Sequence, residues 1–285
     1  CVPIIVFQFC KGKEFFSKEY WGYALRIGIP IVPHYLSGII LNQGDRIMID
    51  KMVGKTEVAL YGLAYSIGML VQLFISGMNS ALTPWMYSKI KKGDIRSMRK
   101  VLQLLSIVVV GIAVALMLIS PELVLIFGSP KYREAVYVIP PVAASVFFIF
   151  IYNILSMPQF YYEKTQFLMA ASMAAAGANV VLNFIFIRLF GYIAAGYTTL
   201  ACYMLYSVGH YIVSKRILVN EGIQENLMNP GFLLACSVFL IGASIICNLI
   251  FPYRILRYAI LLASAGLVFW KKELLLKTMA DIRKK

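Results

Sequence analysis

Residues 58–88 run for thirty-one positions without one charged side chain, and seven further uncharged runs follow the same habit: 27–44, 101–121, 135–162, 165–187, 189–214, 226–253 and 258–270. A helix needs about 20 residues to cross roughly 30 Å of hydrocarbon at about 1.5 Å per residue. Seven of the eight runs reach or nearly reach that length. The last is short, but Arg254 and Arg257 can lay their stems along lipid and lift their heads to the interface. The expected fold is all-α: a polytopic integral membrane protein with about eight transmembrane helices. A membrane barrel is excluded, because its strands alternate in segments of about ten residues. Composition agrees. The chain is 60% hydrophobic and 14% charged, whereas soluble domains carry about 25% charged residues.

The lysines and arginines orient these helices. Gaps counted alternately along the chain place nineteen of the 27 cations on one side and eight on the other. The positive-inside rule makes the richer side, with both chain ends, cytoplasmic. That side carries nineteen cations against eight acids and the other eight against five, so the net charge of +14 reports topology and anionic lipid rather than nucleic acid.

Catalytic readings fail on the loops. The longest, around 87–100 and 215–230, are far smaller than a catalytic domain. The four aspartates, Asp45, Asp50, Asp94 and Asp281, form no DxD pair. Gly54-Lys55-Thr56 resembles the end of a phosphate loop, but the required first glycine falls on Ile49. HExxH and GxSxG are absent, and the five cysteines contain no CxxC pair. No enzyme, cofactor or metal site is expected.

Polar groups within the apolar runs mark candidate pathways, because they are costly in lipid. The first run carries Pro30 and Pro33, which predict a bent helix, then His34, Asn42, Asp45 and Arg46. Arg26 either snorkels to the interface or contacts substrate; His34 either faces a cavity or bonds between helices. Asp45 and Arg46 either pair at the outer rim or act as a gate. Asn79 and Asn153 are further polar intrusions. Gly177, Asn179 and Asn183, followed by Gly191, Gly196 and Thr199, suggest close helix packing through small residues and bridging amides.

Gly44-Asp45-Arg46-Ile47-Met48-Ile49, followed by Ala59-Leu60-Tyr61-Gly62-Leu63-Ala64-Tyr65, resembles the polysaccharide-transporter branch of the MATE-like MOP flippase superfamily, which includes the O-antigen and capsule flippases. Pro84-Trp85, Tyr132-Arg133-Glu134-Ala135, and Asn183 with Gly191 and Gly196 extend the resemblance over about 18–213. It implies twelve to fourteen helices in two six-helix lobes around a cavity, moving an undecaprenyl-pyrophosphate-linked oligosaccharide across the inner membrane by alternating access. On that reading residues 1–10 are the tail of an upstream helix, 18–216 the second lobe, 226–272 two added helices, and 273–285 a basic cytoplasmic tail. The chain is then a C-terminal portion, its partners being the lipid-linked substrate, membrane lipids, the first lobe of the same protein and a glycan polymerase. Substrate-cavity candidates are Arg26, His34, Asn42, Arg46, Asn79 and Asn153; rim candidates are Asp45 and Arg46. Embedded acids are expected to be absent, since no aspartate or glutamate falls within the uncharged runs. A lipid II flippase, a small-molecule antiporter and a scaffold subunit remain alternatives.

Overall fold

A computed structural model describes residues 2–12 and 16–270. The proposed basic tail, 273–285, lies outside the described residues, as does Cys1. Ten α-helices are described: α1 (Val2–Gly12), α2 (Lys18–Met52), α3 (Lys55–Gly68), α4 (Leu70–Lys91), α5 (Ile95–Phe127), α6 (Ile139–Tyr161), α7 (Thr165–Phe190), α8 (Ala194–Asn220), α9 (Pro230–Ile250) and α10 (Arg254–Trp270). A 3-10 segment, Pro130–Val138, leads into α6.

Among the described residues, six stretches are long and apolar enough to cross a membrane: α2, Lys55–Lys91, α5, Pro130–Tyr161, α7 and α9. The other two expected crossings are helices that fall short of that standard. α8 has 27 residues but carries Thr198, Thr199, Ser207, His210 and Ser214, and α10 has only 17 residues.

α6 forms the central post. It is buried without interruption from Ile139 to Ile151, as a helix apolar all round should be. α8 runs parallel to it in register. Tyr152 stacks on Tyr203 with ring centroids 6.2 Å apart, and fifty-one residues also separate Gln159 from His210, whose Nδ1 lies 2.7 Å from the amide Nε2. α2 and α7 make a second parallel pair. Thr165 Oγ1 donates to Ile27 O at 3.3 Å, and Asn183 Nδ2 to Asp45 Oδ1 at 2.5 Å; both pairs are 138 residues apart in sequence. The two helices therefore keep register over eighteen residues, about 27 Å.

Prolines do not break these helices. α2 continues through Pro30 and Pro33 as one 35-residue helix. In α5, Pro121 removes the amide that would bond Met117 O, and Ser120 Oγ donates to that carbonyl instead, at 2.8 Å.

The small residues of α7 and α8 divide by what faces them. A Cβ on Gly196 would lie 3.1 Å from Pro141 Cγ and 3.3 Å from Val138 Cγ1, so its lack of a side chain lets α8 press on the start of α6. Gly177 was expected to pack a helix, but it is exposed and meets nothing within 4 Å, because its face of α7 points away from α2 and α8. Gly191 does not pack either. It ends α7 with φ 75° and ψ −168°, a conformation essentially confined to glycine. Gly191→Ala is therefore expected to destabilise the protein by about 2 kcal/mol. Thermal unfolding of the detergent-solubilised protein checks this, and an unchanged midpoint would contradict it.

α10 is held by charge rather than by snorkelling. Arg257 is 3% exposed. Its guanidinium grips Glu122 of α5 twice, at 2.8 Å each, and donates to Leu118 O at 2.6 Å, while Tyr258 Oη also donates to Glu122 at 2.9 Å. The snorkelling expectation is corrected for Arg257, because the Glu122 carboxylate pairs with it, while exposed Arg254 lies against the Tyr258 ring, 5.5 Å from its centroid.

Candidate functional site

The buried face of α2 consists of Pro30 and, at i+4 spacing, Ser37, Leu41, Asp45 and Ile49. That periodicity carries Asp45 inward with its apolar neighbours, and it is 0% exposed. Three side chains donate to its carboxylate: Tyr61 Oη of α3 at 2.5 Å and Thr199 Oγ1 of α8 at 2.6 Å, both to Oδ2, and Asn183 Nδ2 of α7 at 2.5 Å to Oδ1. Asn183 also donates to Asn179 Oδ1 at 3.1 Å and accepts from Thr198. Four helices thus converge on one carboxylate. Asn179 Nδ2 is buried without a partner beside it.

Among the described residues, no lysine, arginine or histidine forms an ion pair with Asp45. The expected local pair with Arg46 does not form. Adjacent residues point about 100° apart around a helix, so Asp45 turns inward while Arg46 turns aside. Arg46 instead donates to Gln43 Oε1 at 3.3 Å and sits 5.2 Å from the Tyr65 ring centroid. Tyr65 Oη donates to Asn42 Oδ1 at 2.7 Å, and Asn42 Nδ2 donates to Gly38 O at 2.8 Å. The expected absence of embedded acids is corrected here. Asp45 and Glu122 both lie within helices long enough to span, because those helices continue past the ends of the uncharged runs.

The other candidates are dispersed. Arg26 is exposed near the start of α2 and lines a hollow of about 350 Å³ with Tyr23, Glu163, Lys164 and Thr165. Twenty residues of helix separate it from Arg46, about 30 Å. Arg26, His34 and Arg46 therefore do not form one cationic patch. His34 lies between the two; Tyr206 Oη is 3.0 Å from its Nδ1, and Phe160 and Tyr35 flank its ring. Tyr206 in turn packs edge-on against His210 at 4.5 Å, bringing the chain's two histidines to either side of one tyrosine. Asn79 on α4 keeps a buried Oδ1 without a partner. Asn153 is half-buried on α6, and its backbone carbonyl accepts from Ser156. Neither touches the Asp45 cluster through a hydrogen bond.

Sequence reasoning missed Tyr61, Tyr65 and Thr198 as site residues, and His210 altogether. A signal for the first two was present. Tyr61 and Tyr65 are one turn apart and share a helix face, as an i, i+4 pair must.

Residues 2–91 match the family described as polysaccharide biosynthesis protein. The chain is 28% identical over 173 residues to protein 1 of the Lsg locus of Haemophilus influenzae, covering 57% of this chain and 42% of that protein. It is 29% identical over 167 residues to a second protein of that organism, described as a membrane protein, covering 55% of this chain and 40% of the relative. The chain thus spans about two fifths of the length of these relatives. No solved structure matches it significantly. With its apolar helices, the chain is a polytopic helical membrane protein, and over residues 2–91 it is similar to the polysaccharide biosynthesis protein family.

Proposed function

We propose that this chain is the second lobe, with two added helices, of a transporter that flips an undecaprenyl-pyrophosphate-linked oligosaccharide across the cytoplasmic membrane. The observation that carries a transport role is Asp45. A carboxylate buried in a membrane bundle without a counter-cation is costly, and such groups mark ion and substrate pathways. Bound hydrogen-bond donors offset part of that cost, and a proton or small cation taken up at the cluster removes the rest. Because α2, α3, α7 and α8 all contribute to the cluster, such uptake alters the contacts among four helices at once. That is the kind of bistable element alternating access requires. Arg26 and Lys164, at the cytoplasmic end in this reading, receive the pyrophosphate.

A small-molecule antiporter is the second reading, favoured by the same embedded acid, since cationic cargo pairs with buried carboxylates. The two separate in one experiment. Deleting the full-length gene in its host is expected to abolish surface glycan and to accumulate lipid-linked oligosaccharide in the inner leaflet, both restored by re-expression. Intact surface glycan together with greater sensitivity to cationic drugs would replace the flippase reading with the antiporter. Intact glycan with unchanged drug sensitivity would leave a scaffold.

A further inference from the structure

The end of the bundle where α5 gives way to the 3-10 segment holds a hollow of about 640 Å³, apart from the Asp45 cluster. Its volume falls within the roughly 300–1,000 Å³ of small-ligand sites. Lys131, Arg133, Glu134 and Tyr137 of the 3-10 segment line it, and Phe251 closes it from the turn between α9 and α10.

The geometry of this segment aligns three of those groups. A 3-10 helix has three residues per turn, so side chains at i and i+3 eclipse. Lys131, Glu134 and Tyr137 are spaced by three and therefore form one column, and all three line the hollow. Among the described residues, no ion pair or side-chain hydrogen bond engages Lys131, Arg133 or Glu134. Tyr137 is 39% exposed, with its ring 5.8 Å from that of Phe251. Pro121, Pro130 and Pro252 stiffen the walls. The hollow thus offers two cationic donors, one carboxylate acceptor and an aromatic face, all carried on one short helical segment.

Those are the groups that recognise a sugar ring. Its hydroxyls need both donors and acceptors, its axial C–H face packs on an aromatic ring, and an extra guanidinium matches a carboxylate. We infer that this hollow binds a saccharide bearing a carboxylate, on the face that the charge asymmetry places outside the membrane. The proposal rests on the glycan-export reading only for the supply of such a sugar; binding itself needs no transport. A solvated charged loop is the simpler alternative, and it has no reason to prefer a sugar to an anion.

The test uses the full-length protein in nanodiscs of neutral phosphatidylcholine, titrated with a tetrasaccharide alternating glucuronic acid and N-acetylglucosamine, with neutral maltotetraose as comparison. Saturable binding of the acidic sugar is expected, weakened about tenfold by Arg133→Gln and by Tyr137→Ala. Thermal unfolding of each variant verifies that it is folded. Absence of saturable binding in the folded wild type, equal binding of the neutral sugar, or affinity unmoved in both hollow variants would overturn the proposal. Nanodiscs containing phosphatidylglycerol form the second arm. If that lipid abolishes sugar binding in the wild type, a lipid headgroup is the occupant and the saccharide assignment falls. Sugar binding that persists in a protein shown not to export glycan would retain this site while removing the flippase reading.

Discussion

Asp45→Asn is expected to yield a folded protein that no longer exports glycan, whereas Asp45→Ala is expected to lose about 4 kcal/mol of stability. The difference follows from the three donors around the carboxylate. Alanine leaves Tyr61 Oη, Thr199 Oγ1 and the Asn183 amide pointing into a dry space. Each buried donor left unsatisfied costs about 1–3 kcal/mol. Asparagine keeps the shape. Its Oδ1 still accepts from Asn183, and the hydroxyls of Tyr61 and Thr199 can rotate to accept from its Nδ2. Removing a desolvated charge that lacks a counter-ion offsets the loss of charge-assisted bonds, so the net change stays within about 1 kcal/mol. What asparagine cannot do is take up a proton or a cation. Thermal unfolding of the solubilised full-length protein and appearance of surface glycan, measured on both variants, check the two halves separately. Full export by Asp45→Asn would make the cluster a structural brace and remove it from coupling.

The helices were legible because the bilayer imposes their length. Uncharged runs as long as 58–88 and 135–162 have no other economical use, and the helices lie where those runs are. Their ends were not legible from charge alone. The run 27–44 stops at Asp45, which suggested a rim, yet α2 continues to Met52 and keeps Asp45 on its buried face. A strictly helical count through 37, 41, 45 and 49 would have placed the acid inside. Packing was harder. Gly177 and Gly196 look alike in sequence, and only the close approach of Val138 and Pro141 gives the second a role. The in-register pairing of α2 with α7 and α6 with α8 has no local signature, because it joins residues 138 and 51 positions apart. Arg257 shows the same limit. Near the start of a short apolar run it reads as a snorkelling cation, and its partner lies 135 residues away.

Arg257→Met is expected to destabilise the protein by about 3 kcal/mol, by freeing α10 from α5 and leaving Glu122 charged and short of donors. Glu122 loses both guanidinium contacts and keeps Tyr258 alone, while Leu118 O loses its bond at 2.6 Å. The pair is worth more than a surface salt bridge because Arg257 is 3% exposed and its grip is bidentate, although Glu122 keeps about a quarter of its side chain in contact with solvent. Breaking one partner is costly chiefly because of the charge left behind, so removing both should recover part of the loss. Glu122→Gln alone is expected to cost less than Arg257→Met, since the amide still accepts from Arg257 and Tyr258. The double variant Glu122→Gln with Arg257→Met is therefore expected to be more stable than the sum of the two singles, by at least about 1 kcal/mol of coupling. Unfolding midpoints of the four proteins give the cycle. Strictly additive effects would mean that the ion pair does not hold α10, and that α9 together with apolar contacts positions it instead. A large coupling with export retained would make α9 and α10 a unit that can be loosened from α5 without disturbing the Asp45 cluster, which draws no side chain from either helix.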